Sequence, residues 1–228
     1  TSDNTLDQVT QLEKIISISY TNVVFSWAVA DDSGLYDGLL KAFDYVLPDC
    51  HEETWMGWIN DDDQLLPDTA RILYEIKIKL PYVNFLTSTP STRGGINTTN
   101  RKFMLSKKLV SHGLYDGKHM PYVQQEGTFW KAKIWKKYLE KISSTWSECK
   151  LAGDYCLWRL MAKQTLFYFY DQPLAVFHID SSRQQLSSNT AEYNAEVDSF
   201  PPADDRTKAV NQYLKGNEIF KQLCIPAR

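Results

Sequence analysis

The most constraining feature of this sequence is an apolar run that ends in three consecutive carboxylates. Residues 54–59 (TWMGWI) are too short for a helix and rich in bulky apolar side chains, which predicts a buried strand. Asp61, Asp62 and Asp63 follow, and Pro67 then favours the first turn of a helix. Ligands of open α/β sheets bind beyond the carboxyl ends of strands, so these carboxylates are expected at a binding site.

Adjacent carboxylates at such a position predict a divalent cation. Carboxylate oxygens suit Mg²⁺ or Mn²⁺, and these ions commonly lie between a protein and the phosphates of its ligand. The cluster therefore points to a phosphorylated ligand. The alternative is a solvated, acidic start of a helix, where Asp meets free N–H groups and the positive end of the helix dipole.

Composition excludes several classes of protein. The 228 residues are 43% hydrophobic, which supports one domain with a real core. A net charge of −3 gives no basic surface for nucleic acid, so nucleic acid is not an expected partner. No apolar stretch approaches the roughly 20 residues that span a bilayer, and no signal-peptide pattern is visible. The cysteines lack zinc-type CxxC pairs and predict reduced, mostly buried thiols: Cys50, Cys149, Cys156 and Cys224.

Helical and extended patterns alternate along the first half of the chain. This alternation predicts an α/β fold with a mostly parallel sheet flanked by helices. Two polar stretches, 87–100 and 181–205, are predicted as loops, the first as a loop or an edge hairpin. We predict helices at 6–16, 36–46, 67–80, 128–139 and 151–163, and strands at 22–29, 54–60, 82–86, 165–170 and 175–179.

Four segments combine turn, acidic and aromatic residues: 32–37 (DSGLYD), 60–67 (NDDDQLLP), 124–130 (QQEGTFW) and 152–158 (AGDYCLW). In order and approximate spacing they resemble the family 2 glycosyltransferases of the GT-A fold. A fifth segment, Phe177-His178 followed by 184–187 (QQLS), is similar to the family's C-terminal pattern. The resemblance covers about residues 1–200, and its strength lies in the co-occurrence of motifs that are individually weak.

The resemblance implies that Asp62 ligates Mn²⁺ or Mg²⁺ bridging the two phosphates of a nucleotide-sugar donor. Such a cation neutralises charge on the departing nucleoside diphosphate. Asn60 stands where the family often has the first Asp of its Asp-x-Asp signature. The metal role is therefore shared among Asp61, Asp62 and Asp63.

The resemblance makes Asp154 the catalytic base that removes a proton from the acceptor hydroxyl. A partly desolvated carboxylate within hydrogen-bond reach can do this. Capping of a helix that starts after Gly153 is the alternative for the same residue. Trp158 lies four residues further on the same helical face, where it serves either to stack a sugar or to pack in the core.

The segment at 32–37 matches the part of the family that lines the donor pocket. Asp32, Asp37 and Lys41 are implied there, with Lys41 as a phosphate or ribose contact. Asp37 and Lys41 also have the i,i+4 spacing of an ordinary helical ion pair.

Other polar and aromatic residues complete the predicted site. Gln125, Glu126 and Trp130 resemble the acceptor-side loop, although a helix start with a buried aromatic residue is the alternative. His178 is a candidate contact to metal or phosphate, against the more usual structural role of a lone His beside a strand. Arg93 is the cation of the polar run 87–100, which is expected to close over the donor when ligand binds.

The sequence thus predicts a single domain, with a donor and metal half at 1–110 and an acceptor half with a C-terminal extension at 111–228. The expected enzyme is an inverting hexosyltransferase of polysaccharide biosynthesis, acting on a glycan or lipid-linked acceptor. It would be cytoplasmic, with peripheral contact at the inner face of the membrane allowed. The alternatives are a sugar nucleotidyltransferase and a non-catalytic carbohydrate-binding module. Family members usually have a strand, a helix and a second strand before the segment resembled by residues 1–5, so a fragment or a reduced sheet is expected.

Overall fold

The computed structural model describes residues 4–88, 91–93, 105–179, 189–200, 208, 211 and 224–226. Helices and strands are interspersed along these residues, as expected for an α/β protein. The helices are α1 (Thr5–Ser19), α2 (Leu35–Val46), α3 (Thr69–Lys79), α4 (Lys107–Ser111), α5 (Ala132–Trp146), α6 (Gly153–Ala162) and α7 (Thr190–Ser199). The strands are β1 (Trp55–Met56), β2 (Gln64–Leu65), β3 (Phe85–Ser88), β4 (Ser91–Arg93), β5 (Thr128–Lys131), β6 (Tyr168–Tyr170), β7 (Ala175–His178) and β8 (Cys224–Ile225).

The strands form two mixed sheets. The larger sheet has the order β1-β5-β3-β6-β8, in which β5 runs antiparallel to both neighbours while β3, β6 and β8 are parallel. The smaller sheet has the order β2-β7-β4, with β2 antiparallel and β4 parallel to β7. The α/β class is confirmed, but the expectation of a mostly parallel sheet is wrong because β5 inserts against the direction of the larger sheet.

The largest error of secondary structure concerns β5. The segment 128–139 was predicted to be one helix, yet its first four residues are a buried strand and α5 begins at Ala132. A short, fully buried strand has no polar face, so its hydrophobic pattern does not distinguish it from a buried helix. The other predicted helices and the strands at 82–86, 165–170 and 175–179 are confirmed to within a few residues.

Three other segments differ from expectation. The strand predicted at 22–29 is wrong, since these residues pair with no strand and Val24 is 95% exposed; a strand-forming composition needs a neighbouring strand to pack against. Strand β1 covers only Trp55–Met56, so the carboxylates lie in a loop beyond it. Helix α7 occupies part of the predicted loop 181–205, whose residues 181–188 and 201–205 lie outside the described residues.

The polar run 87–100 is only partly described. Its first two residues end β3, and Ser91–Arg93 form β4 at the edge of the smaller sheet, which fits the predicted edge position. Residues 89–90 and 94–100 lie outside the described part, and so does the expected closure of this segment over a ligand.

The larger sheet separates two cores. Alternate residues of a strand face opposite sides, so Phe85 and Trp130 join one core while Leu86 and Phe129 join the other. Helices α2, α5 and α6 cover the first core and α3 covers the second. We call the ring-rich centre of the first core the aromatic cluster, with ring centroids 4.6–6.4 Å apart; it consists of Phe43, Trp58, Phe85, Trp130, Trp135, Trp146 and Trp158.

Two further expectations concern membranes and thiols. In the described part of the chain, no helix combines the length and apolar character that crossing a membrane requires. Cys50, Cys149 and Cys156 are free thiols, as predicted, and the side chain of Cys224 lies outside the described residues.

Candidate functional site

A cavity of about 740 Å³ lies above the aromatic cluster. Its walls come from the start of α2, the loop after β1, the loop before β5, the first turn of α6, and α7. Three of the four sequence segments that were predicted to form a site supply polar side chains to it. These side chains are Asn60, Asp61, Asp62, Gln124, Gln125, Glu126 and Asp154.

The three consecutive carboxylates have different surroundings. Asp61 is exposed and Asp62 is half-buried, and both line the cavity. Asp63 is buried, and its two oxygens accept hydrogen bonds from the backbone N–H of His178 at 3.0 Å and from Asn60 Nδ2 at 3.3 Å. Burial raises the pKa of Asp63, an effect that the His178 N–H only partly offsets. Asp63 thus holds the acidic loop against β7, and its predicted role as a metal ligand stays a prediction.

The carboxylate oxygens of this loop fit one kind of metal site. Among the described residues, no group of three or more His, Cys, Asp and Glu side chains is arranged to hold a metal ion. Mg²⁺ and Mn²⁺ do not need such a group, because they commonly bind through one or two carboxylates together with water and substrate phosphates. Asp61 and Asp62, side by side on the cavity wall, fit that arrangement.

Asp154 lies in the first turn of α6 and also lines the cavity. The Tyr193 hydroxyl donates to its Oδ1 at 3.1 Å, and its own backbone N–H donates to the Tyr36 hydroxyl at 3.3 Å. The N-cap of α6 is Ala152, so Asp154 does not cap this helix in the way that the alternative interpretation required. Burial raises the pKa of Asp154 to about 6, although the Tyr155 N–H and the Tyr193 hydroxyl favour the ionised form.

A close contact between α2 and α6 fixes the position of Asp154. A Cβ atom on Gly153 would lie 2.5 Å from Tyr36 Cε1, which is closer than real Cβ contacts. The Tyr36 hydroxyl donates to the Leu151 carbonyl at 2.8 Å and completes the contact. Glycine is therefore required at 153 for the Tyr36 ring to pack beside the first turn of α6.

Gln125 and Glu126 form a buried polar pair in the loop before β5. Their side chains are 9% and 5% exposed, and Gln125 Nε2 donates to Glu126 Oε1 at 3.1 Å. Gln125 Oε1 and Glu126 Oε2 have no hydrogen-bond partner within the described residues. Burial raises the pKa of Glu126 to about 7, and the negative charges of Asp63 and Asp154 act in the same direction.

Two predicted acceptor residues lie below the cavity rather than in its wall. Trp130 is 0% exposed, and Trp158 is buried with its Nε1 donating to the Val123 carbonyl at 3.1 Å. For Trp158, core packing is therefore the interpretation that the structure favours. Trp58, which sequence reasoning placed only in a strand, stacks on Trp158 with ring centroids 5.9 Å apart and also lines the cavity. Of Trp58, Trp130 and Trp158, only Trp58 lines the cavity.

The predicted donor residues are not among those that line the cavity. Asp37 Oδ2 accepts from Lys41 Nζ at 2.8 Å and from the Ser33 N–H at 2.8 Å. Lys41 Nζ also donates to the Asp31 carbonyl at 2.6 Å, and Asp32 Oδ1 accepts from the Gly34 N–H at 3.0 Å. These contacts describe a helix start with an ordinary i,i+4 ion pair, and the donor-binding roles stay predictions.

His178 and Arg93 also lie away from the cavity wall. They are partners in the register of β7 and β4, and Arg93 is exposed. The backbone of His178 contributes to the site through its bond to Asp63.

Tyrosines of the cavity were not found from the sequence. Tyr36 follows the recognised Gly34 turn, but Tyr122 and Tyr193 carried no signal, since Tyr193 lies in a segment predicted to be a loop. The Tyr122 hydroxyl donates to Asn194 Oδ1, which ties the loop before β5 to α7.

The chain matches no protein-family model, and no curated protein shows significant similarity to it. Its fold and site define a mixed α/β protein with an acidic cavity walled by aromatic side chains. Its function is therefore inferred from the chemistry of that cavity.

Proposed function

We propose that this protein is a metal-dependent inverting glycosyltransferase, which transfers a hexose from a nucleotide sugar to a hydroxyl of a glycan or lipid-linked acceptor. The observation that carries the proposal is the meeting of two kinds of carboxylate in one cavity. Asp61 and Asp62 are accessible in the loop after β1, and Asp154, with a pKa raised to about 6, lines the same cavity from the first turn of α6.

The donor side is suited to a diphosphate bound through a cation. None of the described side chains that line the cavity is a Lys, Arg or His, so a diphosphate would otherwise meet only negative charge. Asp61 and Asp62 would hold Mn²⁺ or Mg²⁺, which neutralises the charge of the departing nucleoside diphosphate. The cavity volume of about 740 Å³ lies within the range of roughly 300–1,000 Å³ that is common for ligand sites.

The acceptor side is suited to proton transfer. Asp154 takes the proton of the acceptor hydroxyl while that oxygen bonds to the anomeric carbon, and the bond from this carbon to the diphosphate breaks with its electron pair on the leaving group. A carboxylate with a pKa near 6 is ionised at neutral pH and is still a stronger base than an ordinary Asp. The Tyr193 hydroxyl holds it in place.

Two other functions remain as alternatives to be tested. A sugar nucleotidyltransferase also presents carboxylates and a metal to phosphates. It would be expected to have basic side chains around those phosphates, and the described residues of the cavity wall include none. A carbohydrate-binding module without turnover would keep the Trp58 ring and the polar pair Gln125 and Glu126. Such a module would not need a carboxylate of raised pKa at Asp154.

The test uses the whole chain with UDP-, GDP- and dTDP-sugars, with and without Mn²⁺. A rise in melting temperature that requires both sugar nucleotide and Mn²⁺ identifies the donor, because a ligand that binds the native state stabilises it by mass action. Labelled donor is then incubated with glycan acceptors. Release of nucleoside diphosphate with transfer supports the proposal, release of pyrophosphate indicates a nucleotidyltransferase, and binding without turnover indicates a binding module.

A further inference from the structure

The polar pair Gln125 and Glu126 lines the cavity and has unused hydrogen-bond capacity. Gln125 Oε1 and Glu126 Oε2 are both buried and both lack a partner within the described residues. Leaving a buried acceptor unpaired costs about 1–3 kcal/mol, more when the group is charged. Two such atoms on adjacent residues of a cavity wall indicate a ligand group that donates hydrogen bonds.

In the described part of the chain, the charged side chains that line the cavity are all negative. Asp61, Asp62, Glu126 and Asp154 line the cavity, and the described lining contains no basic side chain. The remaining wall is rich in rings, whose faces attract cations. The aromatic residues are Tyr36, Trp58, Tyr122, Phe177 and Tyr193.

We propose that Gln125 and Glu126 bind a primary ammonium group, so that the acceptor in this cavity is an amino sugar with a free amine. The identification of this ligand as the acceptor rests on the proposed function, whereas the ammonium site itself rests on the cavity alone. An ammonium group has three donors and no acceptor, which matches two oxygens that lack donors.

The charge of the amine distinguishes it from a hydroxyl. No described basic side chain lines the cavity to compensate the charge of ionised Glu126, and burial raises the pKa of Glu126 to about 7. A hydroxyl would satisfy an oxygen but would leave that charge uncompensated, whereas an ammonium does both. A charged hydrogen bond is also the stronger one.

The experiment compares three disaccharides of the same shape on the whole chain at neutral pH, by calorimetry without nucleotide. They are the β-1,4-linked disaccharides of glucosamine, N-acetylglucosamine and glucose. The glucosamine disaccharide is expected to bind at least tenfold more tightly than the other two, about 1.4 kcal/mol at 25 °C. Equal binding of the glucose disaccharide would overturn the proposal and indicate a site for hydroxyls.

Matched variants locate the preference. Glu126→Gln keeps the shape of the side chain and removes its charge, and it is expected to abolish the preference for the amine. Glu140→Gln makes the same change on the exposed surface of α5 and should leave the preference intact. Should Glu126→Gln fail to give a cooperative melting curve, Gln125→Leu removes the other acceptor oxygen and is expected to weaken amine binding several-fold. A preference that survives these changes contradicts the assignment.

The outcomes separate this inference from the proposed function. Binding of Mn²⁺ and sugar nucleotide is measured on the same samples. If the protein prefers the amine but neither binds nor turns over any sugar nucleotide, the glycosyltransferase proposal is contradicted and the ammonium-site proposal is supported. If the protein transfers sugar to neutral acceptors and shows no amine preference, the glycosyltransferase proposal is supported and the ammonium-site proposal is contradicted.

Discussion

The cavity has two acidic walls that carry similar side chains in opposite surroundings. We call Asp61 and Asp62 the outer wall, and Gln125, Glu126 and Asp154 the inner wall. Asp61 is exposed, Asp62 and Asp154 are half-buried, and Glu126 is buried. Loss of hydration raises the pKa of Glu126 to about 7 and that of Asp154 to about 6. A hydrated cation needs carboxylates that it can approach, and proton transfer needs one that exchanges a proton near neutral pH. Burial thus assigns different chemistry to the same functional group.

The largest expected effect comes from neutralising the inner wall at Asp154. Asp154→Asn is expected to lower sugar transfer by about 10²–10⁴-fold, because an amide cannot accept the proton of the acceptor hydroxyl. Binding of donor and Mn²⁺, which uses the outer wall, should remain within a factor of about two to three of the parent, the usual context dependence of such contacts. Turnover is measured with labelled donor, and binding by calorimetry.

The exposed residue Asp44 of α2 provides the control for this change. Asp44→Asn should leave both measurements unchanged. Near-parental turnover in Asp154→Asn would remove the distinction between the walls, since Asp154 would then act only in helix packing.

The second prediction concerns the pH dependence of stability. A carboxyl whose pKa is raised by folding binds its proton more tightly in the native state, so it stabilises the fold below its unfolded pKa and loses this contribution as pH rises through the folded value. The ordinary pKa of a Glu side chain is 4.5, and burial in the folded protein raises that of Glu126 to about 7. Its contribution is thus lost between about pH 4.5 and pH 7 and is on the order of 3 kcal/mol.

Glu126→Gln removes this titration. Denaturant unfolding at several pH values should show a smaller fall in the free energy of unfolding across that window than in the parent, with Asp154 accounting for part of the remainder. Glu140→Gln is the matched control and should keep the parental dependence. Superimposable curves for the parent and Glu126→Gln would show that Glu126 is not buried as the inner wall requires.

The third prediction tests how the inner wall is held in position. Gly153→Ala places a methyl group against the Tyr36 ring, and overpacking of this kind costs about 1–3 kcal/mol. Transfer should fall as well, because the first turn of α6 carries Asp154. Gly38→Ala in α2 is the control: its Cβ would meet Asp32 at an ordinary 3.5 Å, and alanine favours a helix by up to about 1 kcal/mol. A Gly153→Ala protein as stable as the parent would show that the α2–α6 contact does not fix the wall.

The sequence predicted the outer wall more completely than the inner one. The three adjacent carboxylates after an apolar run form a contiguous motif that can be recognised from the sequence alone, and two of them line the cavity. Asp154 and the pair Gln125 and Glu126 were recognised through the family resemblance, since nothing local marks them as buried. The raised pKa values of Glu126 and Asp154 arise from tertiary burial, which residue spacing does not encode.

Errors of the fold have a related origin. The strand predicted at 22–29 has the right composition, but strands need partners, and partners are set by distant parts of the chain. Strand β5 was predicted as a helix because all four of its residues are buried. Tyr193 reaches Asp154 only because α7 packs across the cavity, and that contact spans 39 residues of sequence.

The smallest expected effect belongs to the outer wall and separates two neighbouring carboxylates. Asp62→Asn is expected to weaken Mn²⁺-dependent donor binding by about tenfold or more, since a neutral amide is a weaker ligand for a hard cation. Asp63→Asn keeps one oxygen that can accept from the His178 N–H, but it replaces the oxygen that accepts from Asn60 Nδ2 with an NH₂ donor, so it should cost about 1 kcal/mol of stability while donor binding changes less. Calorimetry with Mn²⁺ and nucleotide measures the first effect, and thermal melting the second. Because the two residues are adjacent and equal in charge, a general loss of negative potential would affect binding equally in both variants. Equal losses would therefore contradict a specific cation site at Asp62 and reduce the outer wall to an acidic surface.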